Sequence, residues 1–327
     1  MKVLVTGGTG FTGSALVLRL LEQGYSVRSL DYQKGILYDQ LEKAGAELVL
    51  GSITDADFVQ KSMEGIDFVF HLAAAFRELD VSEKHYYNVN VNGTRNVMDL
   101  AKKNNVMKVV YCSTQGVHGH IKNPPGDENS PISPEDYYQQ TKYEGELVVN
   151  EFIKDGMNAT IIRPTAIYGP GDPGRFVMIY KRVKNGSFPM FGSGDTFYHP
   201  VYIDNLVDAF LITMEPEKGK GETYIIADEE YLAIKELVKK VGQAMDIDVK
   251  IKHYPILPLI IAGHICEKAC KPFGITPPIF PRRVDWFRQV RAFRIDKAKR
   301  DLGYQPKVDI DEGLKRTAEW YKKEGYL

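Results

Sequence analysis

The strongest constraint on the fold is a regular alternation of strand and helix patterns through the first 165 residues. Six short apolar runs, rich in β-branched residues, are each separated from the next by a longer helical pattern. The helix predicted between the second and third runs covers 34–44. Parallel neighbouring strands need a long crossover connection, and an amphipathic helix is the usual one. The alternation therefore predicts an α/β fold with a doubly wound parallel sheet covered by helices on both faces. The six predicted strands are 2–5, 26–30, 47–50, 67–71, 108–112 and 158–162.

A glycine-rich turn, Thr-Gly-Gly-Thr-Gly-Phe-Thr-Gly at 6–13, joins the first predicted strand to the first predicted helix. Glycines at this spacing permit a tight turn and a close approach of the backbone to a diphosphate, which the free N–H groups of the helix attract. Asp31 ends the second predicted strand, where a carboxylate binds the ribose hydroxyls of adenosine and repels a 2′-phosphate. We therefore predict a Rossmann-type domain that binds NAD in preference to NADP. The expected contacts are Gly7, Gly10, Phe11, Thr12, Gly13 and Asp31.

Tyr138 and Lys142 are four residues apart in the long predicted helix 137–154, so they share one helical face. A tyrosine phenol has an ordinary pKa of about 10, and a nearby ammonium favours its ionised form. Such a pair exchanges a proton with a secondary alcohol or ketone while hydride moves to or from a nicotinamide. Thr114 follows the fifth predicted strand, at the sheet edge where α/β proteins bind ligands. We expect its hydroxyl to polarise the reacting oxygen, and Tyr138 and Lys142 to contact the cofactor as well.

Composition and charge exclude several other classes of protein. The 327 residues carry 42 Lys and Arg against 43 Asp and Glu, so no basic excess indicates a nucleic-acid partner. Aromatic residues make up 11% of the chain, which argues against disorder, and 3 cysteines are too few for a disulfide scaffold. The start of the sequence does not resemble a secretory signal, and no apolar run approaches the ~20 residues of a membrane span. We expect a cytoplasmic protein.

Together these motifs resemble the extended short-chain dehydrogenase/reductase family, whose members include NAD-dependent epimerases, dehydratases and 3β-hydroxysteroid dehydrogenases. The resemblance runs along nearly the whole chain, to a C-terminal signature at 298–306. The segment 113–119 resembles the family motif after strand five, with His118 in place of a tyrosine. The segment 51–55 resembles the adenine loop, with Ser52 in place of an aspartate. By resemblance, further cofactor contacts are expected at Ser52, Ile53, Leu72, Ala73, Ala74, Asn90, Ser113, Pro164 and Ile167.

The pattern is looser after residue 165, where prolines and glycines are frequent up to residue 174. We predict that residues 1–165 form the NAD-binding Rossmann domain. Residues 166–327 are expected to form a smaller, mostly C-terminal α/β substrate-binding region, with part of 203–235 packed back on the Rossmann sheet. The elements predicted in this half are helices at 176–184, 203–214, 234–244 and 311–324 and a strand at 223–226.

Two substrate classes stay open on the sequence. Nucleotide-sugar enzymes of the resembled family usually carry an arginine, shortly before a Val-x-Asp helix start, that grips the substrate diphosphate. Here Tyr198 stands near that position, and a tyrosine cannot form a bidentate ionic pair. The sequence therefore favours a steroid- or lipid-like hydroxy or keto substrate. The alternatives are a nucleotide-sugar epimerase or dehydratase with tightly bound NAD, and an NAD-binding sensor without catalysis. Expected substrate contacts are Arg77, Thr114, Gln115 and Tyr198.

The remaining patterns concern partners and metals. The apolar run 254–261 suits a lipid-like substrate or a peripheral membrane contact, or else an ordinary packing segment. His264, Cys266 and Cys270 are close in sequence but have no evident fourth ligand, so we predict no metal site. The family resemblance implies a homodimer formed through the predicted helices 90–103 and 137–154.

Overall fold

Seven parallel strands form the central sheet in the computed structural model, which describes residues 1–76, 81–172, 174–270 and 284–327. They are β1 (Lys2–Thr6), β2 (Ser26–Asp31), β3 (Glu47–Leu50), β4 (Phe68–His71), β5 (Lys108–Cys112), β6 (Ala159–Pro164) and β11 (Thr223–Ile226). Their order across the sheet is β11-β6-β5-β4-β1-β2-β3. The predicted Rossmann-type sheet is confirmed, and its strand order reverses between β1 and β4. This reversal opens a crevice at the carboxyl ends of these two strands.

The connections between the first six strands are helical. They are α1 (Phe11–Glu22), α2 (Tyr38–Lys43), α3 (Ala56–Met63), α4 (Glu83–Tyr87), α5 (Thr94–Lys103) and α6 (Tyr137–Lys154). A π-helical segment (Asn88–Gly93) joins α4 to α5, and a short 3-10 helix (Gln115–His118) follows β5. Asp136 begins α6 by accepting a hydrogen bond from Gln139 N at 2.8 Å, as expected of an N-cap aspartate.

Helix α2 is shorter than the predicted helix 34–44, because the glycine turn holds the residues before it. Thr9 Oγ1 donates to Gln33 O at 2.9 Å and accepts from Gly35 N at 3.2 Å. The backbone of Gly35 lies so close that a Cβ there would be 1.7 Å from Thr9 O. These contacts keep residues 33–37 out of helical geometry, and α2 begins only at Tyr38.

Side chains alternate between the two faces of the sheet and build an apolar layer on each. Leu4 of β1 packs in one cluster with residues of α3, α5 and α6. Val3 and Val5 of the same strand pack in the other cluster with α1 and with residues 206–210. All three are fully buried, which is why the strand is apolar throughout. The two apolar layers stabilise the sheet, so polar side chains are placed at the carboxyl ends of its strands.

The second half of the chain adds further short strands and helices. They are β7 (Ala166–Tyr168), α7 (Arg175–Val183), β8 (Ser187–Phe191), β9 (Phe197–Tyr198), β10 (Pro200–Tyr202), α8 (Ile203–Ile212), β12 (Leu232–Ala233), α9 (Ile234–Gln243), β13 (Lys250–Tyr254), α10 (Ile256–Cys270), α11 (Asp296–Leu302) and α12 (Ile310–Lys323). The pairs β7–β10 and β8–β13 are parallel, and β9–β12 is antiparallel.

Residues 203–226 lie against the Rossmann layer. Helix α8 packs on α1 in the same apolar cluster, and β11 pairs with β6 as the seventh strand of the central sheet. The division of the chain between residues 165 and 166 stays a prediction. Within the part of the chain that the structure describes, none of the helices is both long and apolar enough to cross a bilayer.

Candidate active site

The turn between β1 and α1 needs glycine at two positions for its own packing. Gly7 has a φ of +70°, and a Cβ there would lie 2.7 Å from Ala73 N. A Cβ on Gly13 would lie 2.0 Å from Gly7 O. Gly10 is different, because its φ of −69° suits any residue and a Cβ there would meet only Gly7 O, at 3.3 Å. The space left open at Gly10, above the N-terminus of α1, fits a diphosphate.

Asp31 is buried at the end of β2 and organises the same turn. One carboxylate oxygen accepts from Thr9 N at 3.0 Å and the other accepts from Tyr32 N at 2.8 Å. A carboxylate has about four acceptor positions, so lone pairs are left for the hydroxyls of a ribose. Sequence reasoning missed the part that Thr9 plays here, although its place between two glycines of the motif was visible.

The predicted catalytic residues come from two elements that meet at the carboxyl edge of the sheet. Tyr138 and Lys142 lie in the first two turns of α6. Thr114 follows β5 and is the N-cap of the 3-10 helix, where its Oγ1 accepts from Gly116 N at 3.0 Å. Since the backbone N–H occupies one lone pair, the hydroxyl proton of Thr114 is available to a substrate oxygen.

Lys142 is fully buried, and its ammonium has no hydrogen-bond partner among the described residues. Its Nζ lies 4.2 Å from the centre of the Tyr111 ring. Burial lowers the pKa of Lys142 to about 8, while Cys112 and Glu146 oppose that shift. An orphaned buried ammonium is costly, so a ligand with hydroxyl acceptors fits this position. Together with the open side of Gly10, it shows that these residues fit a dinucleotide.

Asn90 is buried and connects the loop after β4 to helix α6. Its Oδ1 accepts from Ala75 N at 2.8 Å, and its Nδ2 donates to Thr141 Oγ1 at 3.0 Å. Thr141 stands between Tyr138 and Lys142, so Asn90 ties the loop after β4 to the helix that carries both. The next residue of that loop, Phe76, lies with its ring centre 4.8 Å from that of Tyr138.

A buried polar network lies behind this helix. Glu146 pairs with Arg163, whose Nε donates to the carboxylate at 2.8 Å, and Ser113 Oγ donates to the same carboxylate. The guanidinium of Arg163 also lies 3.0 Å from His118 Nε2. Burial, and then the nearby Arg163 charge, lower the pKa of His118. Sequence reasoning missed the network, and its one local signal was the position of Glu146 one helical turn after Lys142.

The other predicted cofactor contacts follow the strands of the central sheet or lie at the ends of neighbouring elements. Leu72, Ala73 and Ala74 follow β4, and Leu72 N donates to Thr6 O at 3.0 Å. Ser52 bonds within its own loop, to Thr54. Further members of the set are Phe11 and Thr12 at the start of α1, Ile53, which packs in the core, Pro164 at the end of β6, and Ile167 in β7. Their contacts to a cofactor stay predictions.

The predicted substrate contacts lie in separate segments of the chain. Gln115 is buried in the 3-10 helix, and its Oε1 has no hydrogen-bond partner among the described residues. Tyr198 is buried, with its ring centre 6.1 Å from that of Trp286. An isolated parallel β-bridge sets Arg291 beside Tyr198. Arg77 lies outside the described residues. The described part of the chain contains no group of three potential metal ligands.

Comparison with known proteins adds relatives that match along nearly the entire chain. A 4-epimerase of Escherichia coli O157:H7, named for N-acetyl-alpha-D-glucosaminyl-diphospho-ditrans,octacis-undecaprenol, is 29% identical over 98% of this chain and 95% of its own. A 3 beta-hydroxysteroid dehydrogenase/Delta 5-->4-isomerase of Mycobacterium tuberculosis is 31% identical over 98% of this chain and 90% of its own.

A solved structure matches this chain in its fold and over nearly its full length. The UDP-glucose 4-epimerase of Thermotoga maritima, solved with UDP-glucose, superposes with a TM-score of 0.81 at 28% identity, covering 99% of each chain. Residues 3–227 match the sequence profile of the NAD dependent epimerase/dehydratase family. The glycine turn, Asp31 and the Tyr138–Lys142 helix all lie inside the matched range. The chain is therefore an enzyme of the NAD dependent epimerase/dehydratase family, as the predicted resemblance to extended short-chain dehydrogenases implied.

Proposed function

We propose that this enzyme transfers hydride between NAD and a secondary alcohol or ketone, with Tyr138 as the acid–base group. The observation that carries the proposal is the burial of the Lys142 ammonium. Its ammonium is buried beside the end of β5, one helical turn from Tyr138, and has no hydrogen-bond partner within the described residues. A purely structural lysine would be paired or exposed. A sensor without catalysis has no need of such a group next to a phenol.

Each residue then has a distinct task. Bound NAD supplies the carbon that accepts or returns the hydride. Thr114, whose Oγ1 already accepts from Gly116 N, donates its hydroxyl proton to the reacting oxygen and holds it in place. Tyr138 takes the proton of the alcohol, or returns it to the oxygen of the ketone. Lys142 stabilises the phenolate by its charge and donates to ribose hydroxyls of the cofactor.

For the substrate we propose a steroid- or lipid-like hydroxy or keto compound. The position that usually carries a diphosphate-binding arginine is Tyr198, which packs between the rings of Phe176 and Trp286, at 6.3 and 6.1 Å. Aromatic walls suit an apolar ligand. The Mycobacterium tuberculosis relative, named as a hydroxysteroid dehydrogenase, supports this substrate class.

A nucleotide-sugar epimerase is the second candidate, and one observation favours it. Arg291 is set beside Tyr198 by the β-bridge, so an arginine from a different part of the chain stands near the position where the usual one is replaced. A guanidinium there suits a diphosphate. The Escherichia coli and Thermotoga maritima relatives, both named as 4-epimerases, support this reading. In that cycle Tyr138 would serve both oxidation and reduction, and NAD would stay bound.

The test starts from the nucleotide that copurifies with the protein, identified by mass after acid release. Steroid alcohols, lipid alcohols and UDP-sugars are then screened for reduced cofactor and for epimeric product. Tyr138→Phe is expected to lower turnover by about 10²-fold or more while retaining NAD. Tyr137→Phe is the matched control, because that residue is the neighbouring tyrosine of α6. Equal turnover by Tyr138→Phe and the unaltered enzyme would refute the role of Tyr138.

The homodimer implied by the family resemblance belongs to the same proposal. Leu147 of α6 is 45% exposed, one turn before Glu151, which pairs with Arg95 of α5 at 2.7 Å. An exposed leucine on the shared face of α5 and α6 supports coverage by a second copy. Light scattering of the unaltered protein and of Leu147→Glu tests this, and a monomeric mass for the unaltered protein contradicts it.

A further inference from the structure

Helix α10 carries an exposed apolar ridge that the proposed chemistry does not use. Leu257, Ile261 and Ile265 are 64%, 51% and 62% exposed. They are four residues apart, so they form one continuous line along the helix, which we call the α10 ridge. Ile256, Leu259 and Ile260 are less exposed. The helix is apolar on both faces, and a soluble protein rarely leaves such a face uncovered.

The charges around the α10 ridge are mostly positive. Lys250 and Lys252 are exposed on β13, just before the helix, and Lys268 is exposed in its last turn. Glu267 is the single carboxylate in the sequence 250–270, whereas the whole chain has a net charge of −1. An apolar ridge with lysines at both ends complements an anionic lipid surface.

The length of α10 determines how it meets a bilayer. Fifteen residues of helix span about 22 Å, which is shorter than the ~30 Å hydrocarbon core. The helix therefore lies along the interface with its ridge inserted, rather than across the membrane. Lysines at the ends of such a helix reach the headgroups while their stems stay among apolar groups.

A row of aromatic rings runs from the start of α10 to Tyr198, a predicted substrate contact. The ring of Tyr254 lies 5.8 Å from that of Phe191, which lies 5.5 Å from that of Phe287. Phe287 lies 4.9 Å from Trp286, and Trp286 lies 6.1 Å from Tyr198. The surface around α10 is thus continuous, through apolar contacts, with the wall at Tyr198.

We propose that the α10 ridge docks this enzyme on an anionic lipid bilayer. Docking itself does not depend on the substrate. A consequence that does rest on the proposed function is that a lipid-like substrate enters from the bilayer along the row of aromatic rings. A second copy of the chain is the competing occupant of the ridge, and the charge pattern disfavours it, because lysines at both ends of one ridge repel those of another copy.

The test is cosedimentation of the full-length protein with vesicles of phosphatidylcholine alone or mixed with phosphatidylglycerol. We expect binding to the mixed vesicles that weakens as salt is added. The variant with Leu257→Gln, Ile261→Gln and Ile265→Gln should lower the partition coefficient by at least about tenfold. A second variant with Lys250→Gln, Lys252→Gln and Lys268→Gln should lower it by a similar factor, on mixed vesicles only.

Single substitutions provide the matched comparison. Ile265→Gln should weaken vesicle binding, whereas Met107→Gln, at a 50% exposed position just before β5, should not. Retained NAD binding shows that each variant is folded. Sedimentation that is equal for all variants, or absent for the unaltered protein, overturns the proposal. So does a ridge variant whose only change is a smaller mass in light scattering, since that outcome assigns the ridge to a second copy. Hydride transfer is measured separately, so its failure does not affect this result.

Discussion

Lys142 Nζ lies 4.2 Å from the centre of the Tyr111 ring, and among the described residues this ring face is its neighbour in place of a hydrogen-bond acceptor. A ring face stabilises a cation only in part, so the buried ammonium destabilises the folded protein until a ligand pairs with it. The contact between Lys142 and Tyr111 thus links the stability of the cofactor-free protein to the proposed role of Lys142 in catalysis.

Lys142→Met should stabilise the cofactor-free protein while lowering turnover by about 10²-fold or more. Burial lowers the pKa of Lys142 to about 8 from an unfolded value of 10.5, so the folded state disfavours the proton by roughly 3 kcal/mol. Below pH 8 the residue is protonated in both states and the full penalty applies. Denaturant unfolding at neutral pH measures the gain. Lys154→Met, at an exposed position of α6, is the control and should change little.

The pH dependence of the protein's stability follows from the lowered pKa of Lys142. Between pH 8 and 10.5 the unfolded chain binds a proton that the folded chain has released, so the stability of the cofactor-free enzyme should rise with pH across this window. Lys142→Met should remove that rise. Unfolding curves of both proteins at pH 7.5 and about pH 10 compare the two slopes. Identical slopes would show that Lys142 titrates normally in the folded state.

Gly10→Ala and Gly13→Ala should separate cofactor binding from folding. Alanine at Gly10 meets only Gly7 O, at 3.3 Å, so the free energy of unfolding should change by no more than about 1 kcal/mol. Its methyl group occupies the space assigned to the diphosphate, so affinity for NAD should fall at least about tenfold. Alanine at Gly13 is 2.0 Å from Gly7 O and should cost about 2 kcal/mol or more. Titration calorimetry and thermal unfolding measure the two effects. Full NAD affinity in Gly10→Ala would contradict the assignment.

Asp31→Asn should weaken NAD binding and reduce the preference for NAD over NADP. The amide oxygen can accept from only one of the two backbone N–H groups, Thr9 or Tyr32, and the substitution removes the charge that repels a 2′-phosphate. We expect at least about a tenfold loss in the ratio of the two affinities. Asp39→Asn, at an exposed position of α2, serves as the control. An unchanged ratio of affinities would remove Asp31 from the ribose site.

Glu146→Gln should destabilise the protein by about 3 to 5 kcal/mol, because it leaves the Arg163 charge buried and unpaired. The exposed pair Arg316–Glu312 of α12, whose nitrogen and oxygen lie 2.7 Å apart, is the matched comparison, and Glu312→Gln should cost about 1 kcal/mol or less. Combining Glu146→Gln with Arg163→Met should cost less than the sum of the two single changes. Equal costs at Glu146 and Glu312 would show that the buried network adds no more to stability than an exposed ion pair does.

Much of the fold could be predicted because its signals are local. The six first strands and the helices between them follow from apolar periodicity, and the glycine turn lies between neighbouring elements. The short strands β7 to β10, β12 and β13 were not predicted, because they lie outside the regular strand–helix alternation and pair with partners far along the chain. Helix α2 was predicted too long, since the contacts of Thr9 with Gln33 and Gly35 override its local preference.

The sequence by itself determined the parallel sheet, the dinucleotide turn and the shared face of Tyr138 and Lys142, because each depends on a repeat within one or two adjacent elements. Only the tertiary structure decided that Lys142 is buried without a hydrogen-bond partner in the described part of the chain, that Glu146 meets Arg163 from β6, and that α10 exposes its apolar ridge. Burial and ion pairing are set by packing between elements that are distant along the chain, and no local pattern records which of them meet.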